Sequence, residues 1–177
     1  GKYVATVDVA DVSMEELSEM MVGRKVMLTL DKPPAQPTDT ILKVEGLSVK
    51  PDEKAPKNKV NNVSFEVKKG EIVCIAGIDN NGQPELVLAL AGMMPAKSGK
   101  IMFNGEDFTA TSIRYRNTHG ISHIPEDRHK HGLVLDFSLA ENLILQSFFT
   151  PQFDKRGFLR FPEIYKYADE MIEQYDI

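Results

Sequence analysis

The sequence predicts an α/β protein, and three observations carry that reading. An apolar, β-branched run, Ile72-Val-Cys-Ile-Ala76, leads into a glycine-framed turn, Gly77 to Gly82. Strong helix formers, Glu85 to Ala91, follow directly, with Gly92 as a stop. Ahead of these, two segments alternate polar and apolar residues like half-exposed antiparallel strands. With 177 residues, 42% of them hydrophobic, and no apolar run long enough to span a bilayer, the chain reads as one soluble core, with or without an appendage.

Taken in order, residues 2 to 7 alternate like a short strand, and Ser13-Met-Glu-Glu16 forms a capping box before Leu17, Met20 and Met21 on one helical face. Pro33, Pro34 and Pro37 then interrupt every regular pattern between residues 31 and 40, as a tether does. Ile41 to Val49 and Val63 to Val67 are the paired strands, with Lys68-Lys69-Gly70 turning into the next element. Ile72 to Ala76 is continuously apolar, which suits a central strand buried on both faces. Lys100 to Phe103 is a strand ending at the Asn104-Gly105 turn, Ser112 to Arg116 is helix-like, and Ile121 to Ile124 is a second candidate for a buried strand. Ser138-Leu-Ala-Glu141 is another capping box, and Pro162 suits the first turn of a helix running to the C-terminus.

A net charge of −5 offers no concentrated basic face, so nucleic acid is not an expected partner. The single cysteine, Cys74, cannot form a disulfide within the chain, and its place in an apolar run predicts a buried thiol in a reducing compartment. The first residues carry no secretion or transit pattern, so a cytosolic location is expected.

The chemistry concentrates in the turn. A phosphate-binding loop has the form Gly-x4-Gly-Lys-Ser/Thr between a strand and a helix: its amides surround the phosphates, the lysine adds charge and the hydroxyl holds Mg2+. Here the frame is Gly77, Ile78, Asp79, Asn80, Asn81, Gly82, Gln83 and Pro84, with Gln83 in the lysine place and Pro84 in the hydroxyl place. A unit charge about 4 Å from a phosphate oxygen contributes roughly 4 kcal/mol at an effective dielectric near 20, and a neutral amide does not replace it. On these residues alone the segment reads equally as a weakened phosphate cradle or as a Gly/Asn turn.

The ordered run Val63-Ser-Phe-Glu-Val-Lys-Lys-Gly-Glu-Ile-Val73, Gly77 to Gly82, Leu90-Ala-Gly92 and Ser98-Gly-Lys-Ile-Met-Phe-Asn-Gly105 resembles the first half of an ABC-transporter nucleotide-binding domain. More narrowly, Ile124-Pro-Glu-Asp-Arg128, Gly132-Leu-Val134 and Ser138-Leu-Ala-Glu-Asn142 resemble the second ATP-binding half of importers of nucleosides and simple sugars. The resemblance implies a partial P-loop NTPase (ABC ATPase) core with an antiparallel β subdomain and the start of a helical subdomain. It further implies that residues 1–30 are the tail of a preceding nucleotide-binding half, 31–40 a Pro-rich linker, and 41–177 the N-terminal portion of the second half. The chain is then a fragment that stops before the signature segment, catalytic glutamate and switch histidine.

By that resemblance the nucleotide-binding residues are Gly77 through Pro84 together with Glu126, which takes the place of a glutamine that senses metal and γ-phosphate. No catalytic residue and no metal ligand is assigned. The stacking aromatic of the family has no counterpart between Val49 and Lys59. The implied cofactors are ATP and Mg2+ in the intact protein, weak or absent in this fragment, which is not expected to be catalytic alone. The implied partners are transmembrane permease subunits and the other nucleotide-binding half, at the inner face of the cell membrane. The rival reading is a docking module that never binds nucleotide.

Around Glu126, Asp127 and Arg128 a coupling role at the permease-facing side is preferred to acid-base chemistry. His119, His123, His129 and His131 are not read as a zinc site: the strand-like Ile121 to Ile124 disperses His119 and His123, and His129 and His131 beside Lys130 are expected to form a polar loop facing a partner. Phe137, Leu139, Leu143, Leu145, Phe148 and Phe149 serve equally as docking surface or core, while Phe158, Phe161 and Tyr165 are expected to pack the last helix.

Overall fold

The computed structural model describes residues 2–25, 32–52, 54 and 56–177. They form two compact units, Gly1–Gln36 and Pro37–Ile177. Parts of the expected tail and linker, residues 26–31, lie outside the described residues.

In the first unit, helix α1 spans Met14–Val22, and the capping box is formed in full. Ser13 Oγ accepts from the Glu16 amide at 3.2 Å, and Glu16 Oε2 accepts from the Ser13 amide at 2.9 Å. Gly23, at φ 79°, closes the helix by donating its N–H to the Glu19 carbonyl at 2.7 Å. Leu17 and Met20 are half-buried, but Met21 is exposed, so the apolar stripe is narrower than its spacing predicts. The strand expected at residues 2 to 7 does not form: residues 2–8 carry no ladder, and alternation without a partner strand does not make one.

The second unit is built on a four-stranded antiparallel sheet in the order β2-β1-β3-β4, with β1 Thr40–Val49, β2 Val60–Lys68, β3 Ala96–Phe103 and β4 Glu106–Asp107. Register stacks the inward residues across three strands: Val44 lies between Phe65 of β2 and Ile101 of β3, and Leu47 opposes Val63. At Gly99, φ is +94° and a Cβ would stand 2.6 Å from the Glu45 and Gly46 carbonyl oxygens, so the backbones cross where only glycine fits. Helix α2, Gln83–Ala91, lays Leu86 and Ala89 onto this sheet. With Val44, Leu47, Val49, Val60, Ile101 and Phe108 they form the main core. Full burial of a Leu or Val side chain contributes about 1.5–3 kcal/mol.

Helix α3, Ile113–Thr118, is capped by Ser112, and α4, Leu139–Leu143, by the expected Ser138–Glu141 box. A small hairpin, β5 Asp154–Lys155 with β6 Phe158–Leu159, precedes α5, Phe161–Tyr175, which has Pro162 in its first turn. Ile144, Phe153 and Ile164 make a second, smaller core, with the Tyr167 ring edge-on to Phe153 at 5.2 Å. Phe158, Phe161 and Tyr165 are exposed instead of packing α5, because Ile164 and Ala168, four apart, take the buried face.

Two expected central strands are absent. Residues 71–78 and 121–125 belong to no ladder among the described residues, and Ile72 and Ile124 are 85% and 87% exposed. Cys74 is therefore exposed, not buried. A continuous apolar run records an appetite for burial, but a strand exists only when a neighbour takes its backbone hydrogen bonds.

Candidate functional site

The loop Gly77–Gly82 runs directly into α2, with Gly82 as N-cap at φ 98° and Pro84 in the first turn. Asn80 also lies in the left-handed region, at φ 62°. Left-handed φ values at Asn80 and Gly82 are of the kind found in the backbone concavities that bind anions.

The side chains modify that cradle. Asp79 Oδ1 accepts from the Asn80 amide at 2.9 Å and Asp79 Oδ2 from Asn80 Nδ2 at 3.3 Å, so one loop amide is already engaged by an anion. Gln83 folds back: its Nε2 donates to the Ile78 carbonyl at 3.3 Å and occupies the space a Cβ on residue 77 would take. Gln83 Oε1 is buried without a hydrogen-bond partner, a state costing about 1–3 kcal/mol. The loop is fixed from the sheet side as well. Gly82 is buried, and a side chain there would collide with the carbonyl oxygen of Lys59, while Lys59 Nζ donates to the Asn80 carbonyl at 3.4 Å. The remaining amides and the α2 N-terminus suit a phosphate, but Pro84 offers no oxygen for Mg2+.

Glu126 is exposed and lines a cavity of about 580 Å3 that reaches Pro84, Val87 and Leu88 on α2 and also includes His123 and His131. The fold thus brings Glu126 to the helix that the loop opens. Asp127 caps the turn Arg128–Gly132 by accepting from the Lys130 amide at 3.0 Å. That backbone hydrogen bond is the main cause holding its carboxyl below the ordinary value. His119 stacks on Tyr115 at 3.8 Å, away from His123 and His131, and among the described residues no group of three His, Cys, Asp or Glu converges on a metal position.

A second cavity, about 440 Å3, lies between α3 and residues 145–149, with Arg114, Ile121, His123, Phe148 and Phe149 on its walls. The Arg114 guanidinium sits 4.2 Å from the Phe149 ring centroid, a cation–π contact joining the two sides. Phe137, Leu139 and Phe148 are exposed, whereas the core position nearby is Ile144.

Sequence reasoning missed Arg116. It is 2% exposed, and all five of its hydrogen bonds go to neutral oxygens. Nη1 donates to the Ala89 and Leu90 carbonyls at 2.7 Å each, Nη2 to those of Phe108 and Thr109 at 2.6 and 3.2 Å, and Nε to Thr111 Oγ1 at 3.1 Å. Burial pushes its pKa down from the ordinary arginine value. The guanidinium caps the C-terminal end of α2 and ties it to the segment after β4. Only the left-handed Gly92 in the Leu90-Ala-Gly92 run hints at it, because a Cβ there would lie 2.9 Å from Arg116 Nε.

A glycine-framed loop at the N-terminus of α2, beside an antiparallel sheet, has the frame of a P-loop. Residues 60–177 match the family model of the ABC transporter, and the chain belongs to that family. It is 41% identical over all its 177 residues to the nucleoside import ATP-binding protein NupA of Lactococcus lactis subsp. cremoris, of which it covers 35%. It is 44% identical, again over its whole length, to the guanosine import ATP-binding protein NupO of Bacillus subtilis, covering 34%. A ribose import ATP-binding protein, RbsA of Clostridium tetani, is 38% identical over 145 residues, 82% of the chain and 27% of that protein. The chain thus spans about a third of the length of these curated relatives.

Among solved structures, a nucleotide-free ATP-binding cassette from an ABC transporter aligns with TM-score 0.54 at 20% identity over 76% of this chain and 51% of that one. Another ATP-binding cassette of an ABC transporter aligns with TM-score 0.57 at 21% identity over 77% and 54%. At that identity the likeness is one of fold, and it agrees with the partial ABC ATPase core that the sequence predicts.

Proposed function

We propose that this chain is the part of an ATP-binding subunit of a bacterial nucleoside or simple-sugar importer that carries a degenerate nucleotide site, with residues 1–30 ending a preceding half. Nucleosides are favoured because two relatives matched along the whole chain carry nucleoside and guanosine import in their names. The observation that carries the reading is the loop itself: Gly77–Gly82 keeps a cradle at the start of α2 while Gln83 folds inward and Pro84 gives no metal ligand. Such a site binds phosphate through backbone amides and supports little turnover, its role being to couple nucleotide binding to a membrane permease. The two cavities flanking α2 and α3, joined by His123, are where the permease contact falls.

The test is Gln83→Lys with Pro84→Ser in the full-length protein. Turnover that rises at least tenfold at this site supports the reading. Wild-type hydrolysis divided evenly between this site and the other half overturns it.

A second reading, a docking module without nucleotide, is favoured by one observation, the Asp79 carboxylate bonded inside the loop. Calorimetry with Mg-ATP on the full-length protein separates the two. A binding stoichiometry confined to the first half selects the docking module.

A further inference from the structure

The loop lacks its own cation, and the structure places another one beside it. Lys59 is the last residue before β2, and its main chain is anchored by the hydrogen bond from its amide to the Val49 carbonyl at 3.0 Å. Its carbonyl abuts Gly82, and its Nζ reaches across to the Asn80 carbonyl at 3.4 Å. That is a long bond to a neutral acceptor, which a phosphate oxygen would readily replace. Between the two segments lies a cavity of about 360 Å3 walled by Pro51, Pro56, Lys57, Lys59, Asn80 and Asn81. One wall is therefore loop backbone, and the other carries two lysines and no aromatic ring.

We propose that Lys59 supplies, from the edge of the antiparallel sheet, the phosphate-binding charge that Gln83 does not. The inference rests on the nucleotide-site reading above and names the residue on which affinity at that site depends. Two features require such a charge. Asp79 places a carboxylate within the loop, so an incoming polyphosphate meets net repulsion unless a cation offsets it. Gln83 is turned toward Ile78 and away from the cavity side, so its amide does not provide compensation. Lysine suits the task as a compact charge on a flexible stem whose root is held by the sheet. With prolines instead of an aromatic ring on the far wall, binding energy comes from the phosphates more than from the base.

The experiment uses full-length protein and photolabelling with 8-azido-ATP and with 8-azidoadenosine, read by peptide mass spectrometry on residues 50–59 and 77–83. The proposal expects Lys59→Gln to raise the half-saturating 8-azido-ATP concentration about tenfold, equivalent to about 1.4 kcal/mol. Lys59→Arg should stay within about threefold of wild type, and 8-azidoadenosine labelling should be unchanged in both variants. An unchanged 8-azido-ATP curve in Lys59→Gln, or equal losses for both ligands, overturns the role of Lys59 while leaving the nucleotide site standing. Wild type with no saturable label in either segment overturns the nucleotide site itself, and this proposal with it. Thermal unfolding of Lys59→Gln should match wild type, since the side chain is exposed and its anchor is main chain.

Discussion

Arg116 joins α2 to the segment after β4, Thr111 included, through five hydrogen bonds. Lysine cannot reproduce a planar fork that reaches four carbonyls, so Arg116→Lys should cost about 2–3 kcal/mol in denaturant unfolding. A loss under half a kilocalorie would show that water replaces the guanidinium. Gly82 is equally unforgiving for a different reason. Its φ of +98° and its contact with the Lys59 carbonyl mean that Gly82→Ala strains the backbone and displaces β2 from the loop. The expected loss is about 1–3 kcal/mol by the same measurement. A Gly82 variant is accordingly a poor probe of nucleotide binding, because it perturbs the fold along with the site. Neither position is fully legible in sequence. An arginine at a helical spacing reads as a solvated charge, and a glycine in a loop frame reads as twist alone, since nothing in one dimension shows which backbone it meets.

Elements marked by alternation, capping residues or a glycine stop are legible in the sequence, and those marked only by a continuous apolar run are not. β2 follows from alternation, β1 from its strand-like run, β3 from the strand before the Asn104-Gly105 turn, and α2 from its composition and glycine stop; the register pairs the three strands into one sheet. The two capping boxes were read correctly because they are closed by residues three apart. Ile72–Ala76 and Ile121–Ile124 were not, because an apolar run does not specify its neighbour. Of the candidate site, the loop and the substituted positions Gln83 and Pro84 were visible. The inward fold of Gln83 and the approach of Lys59 were not, since both depend on packing between elements.

A pH prediction belongs to α4. Glu141 is held below the ordinary glutamate value of 4.5 by its side-chain and backbone hydrogen bonds with Ser138. A depressed carboxylate stabilises the folded form above the unfolded value, and that contribution is lost as pH falls through the folded one. The α4 N-terminus should therefore hold at neutral pH and open in acid. The carboxyl carbon shift of Glu141, followed by NMR, should titrate below 4.5. A midpoint above that value would contradict the box.

At the scale of the whole molecule, the Pro37–Ile177 unit combines a well-packed sheet with an open apolar face. Ile72, Val73, Ile75 and Ile78 are exposed, and Cys74 lies among them. A thiol reagent added to this 177-residue chain under native conditions should modify Cys74 without prior denaturation. Modification only after urea would mean that the segment is covered in solution.

Five consecutive residues without a ladder, rich in β-branched side chains, also constitute an adhesive edge. Charges of both signs flank the run: Lys68, Lys69 and Glu71 before it, and Asp79 after it, are all exposed. The chain's net charge of −5 opposes strand-to-strand stacking of identical copies at low salt, and added salt screens that repulsion. Solubility of this chain should therefore fall with rising ionic strength, with its ceiling set by a stretch that contributes nothing to the sheet beside it.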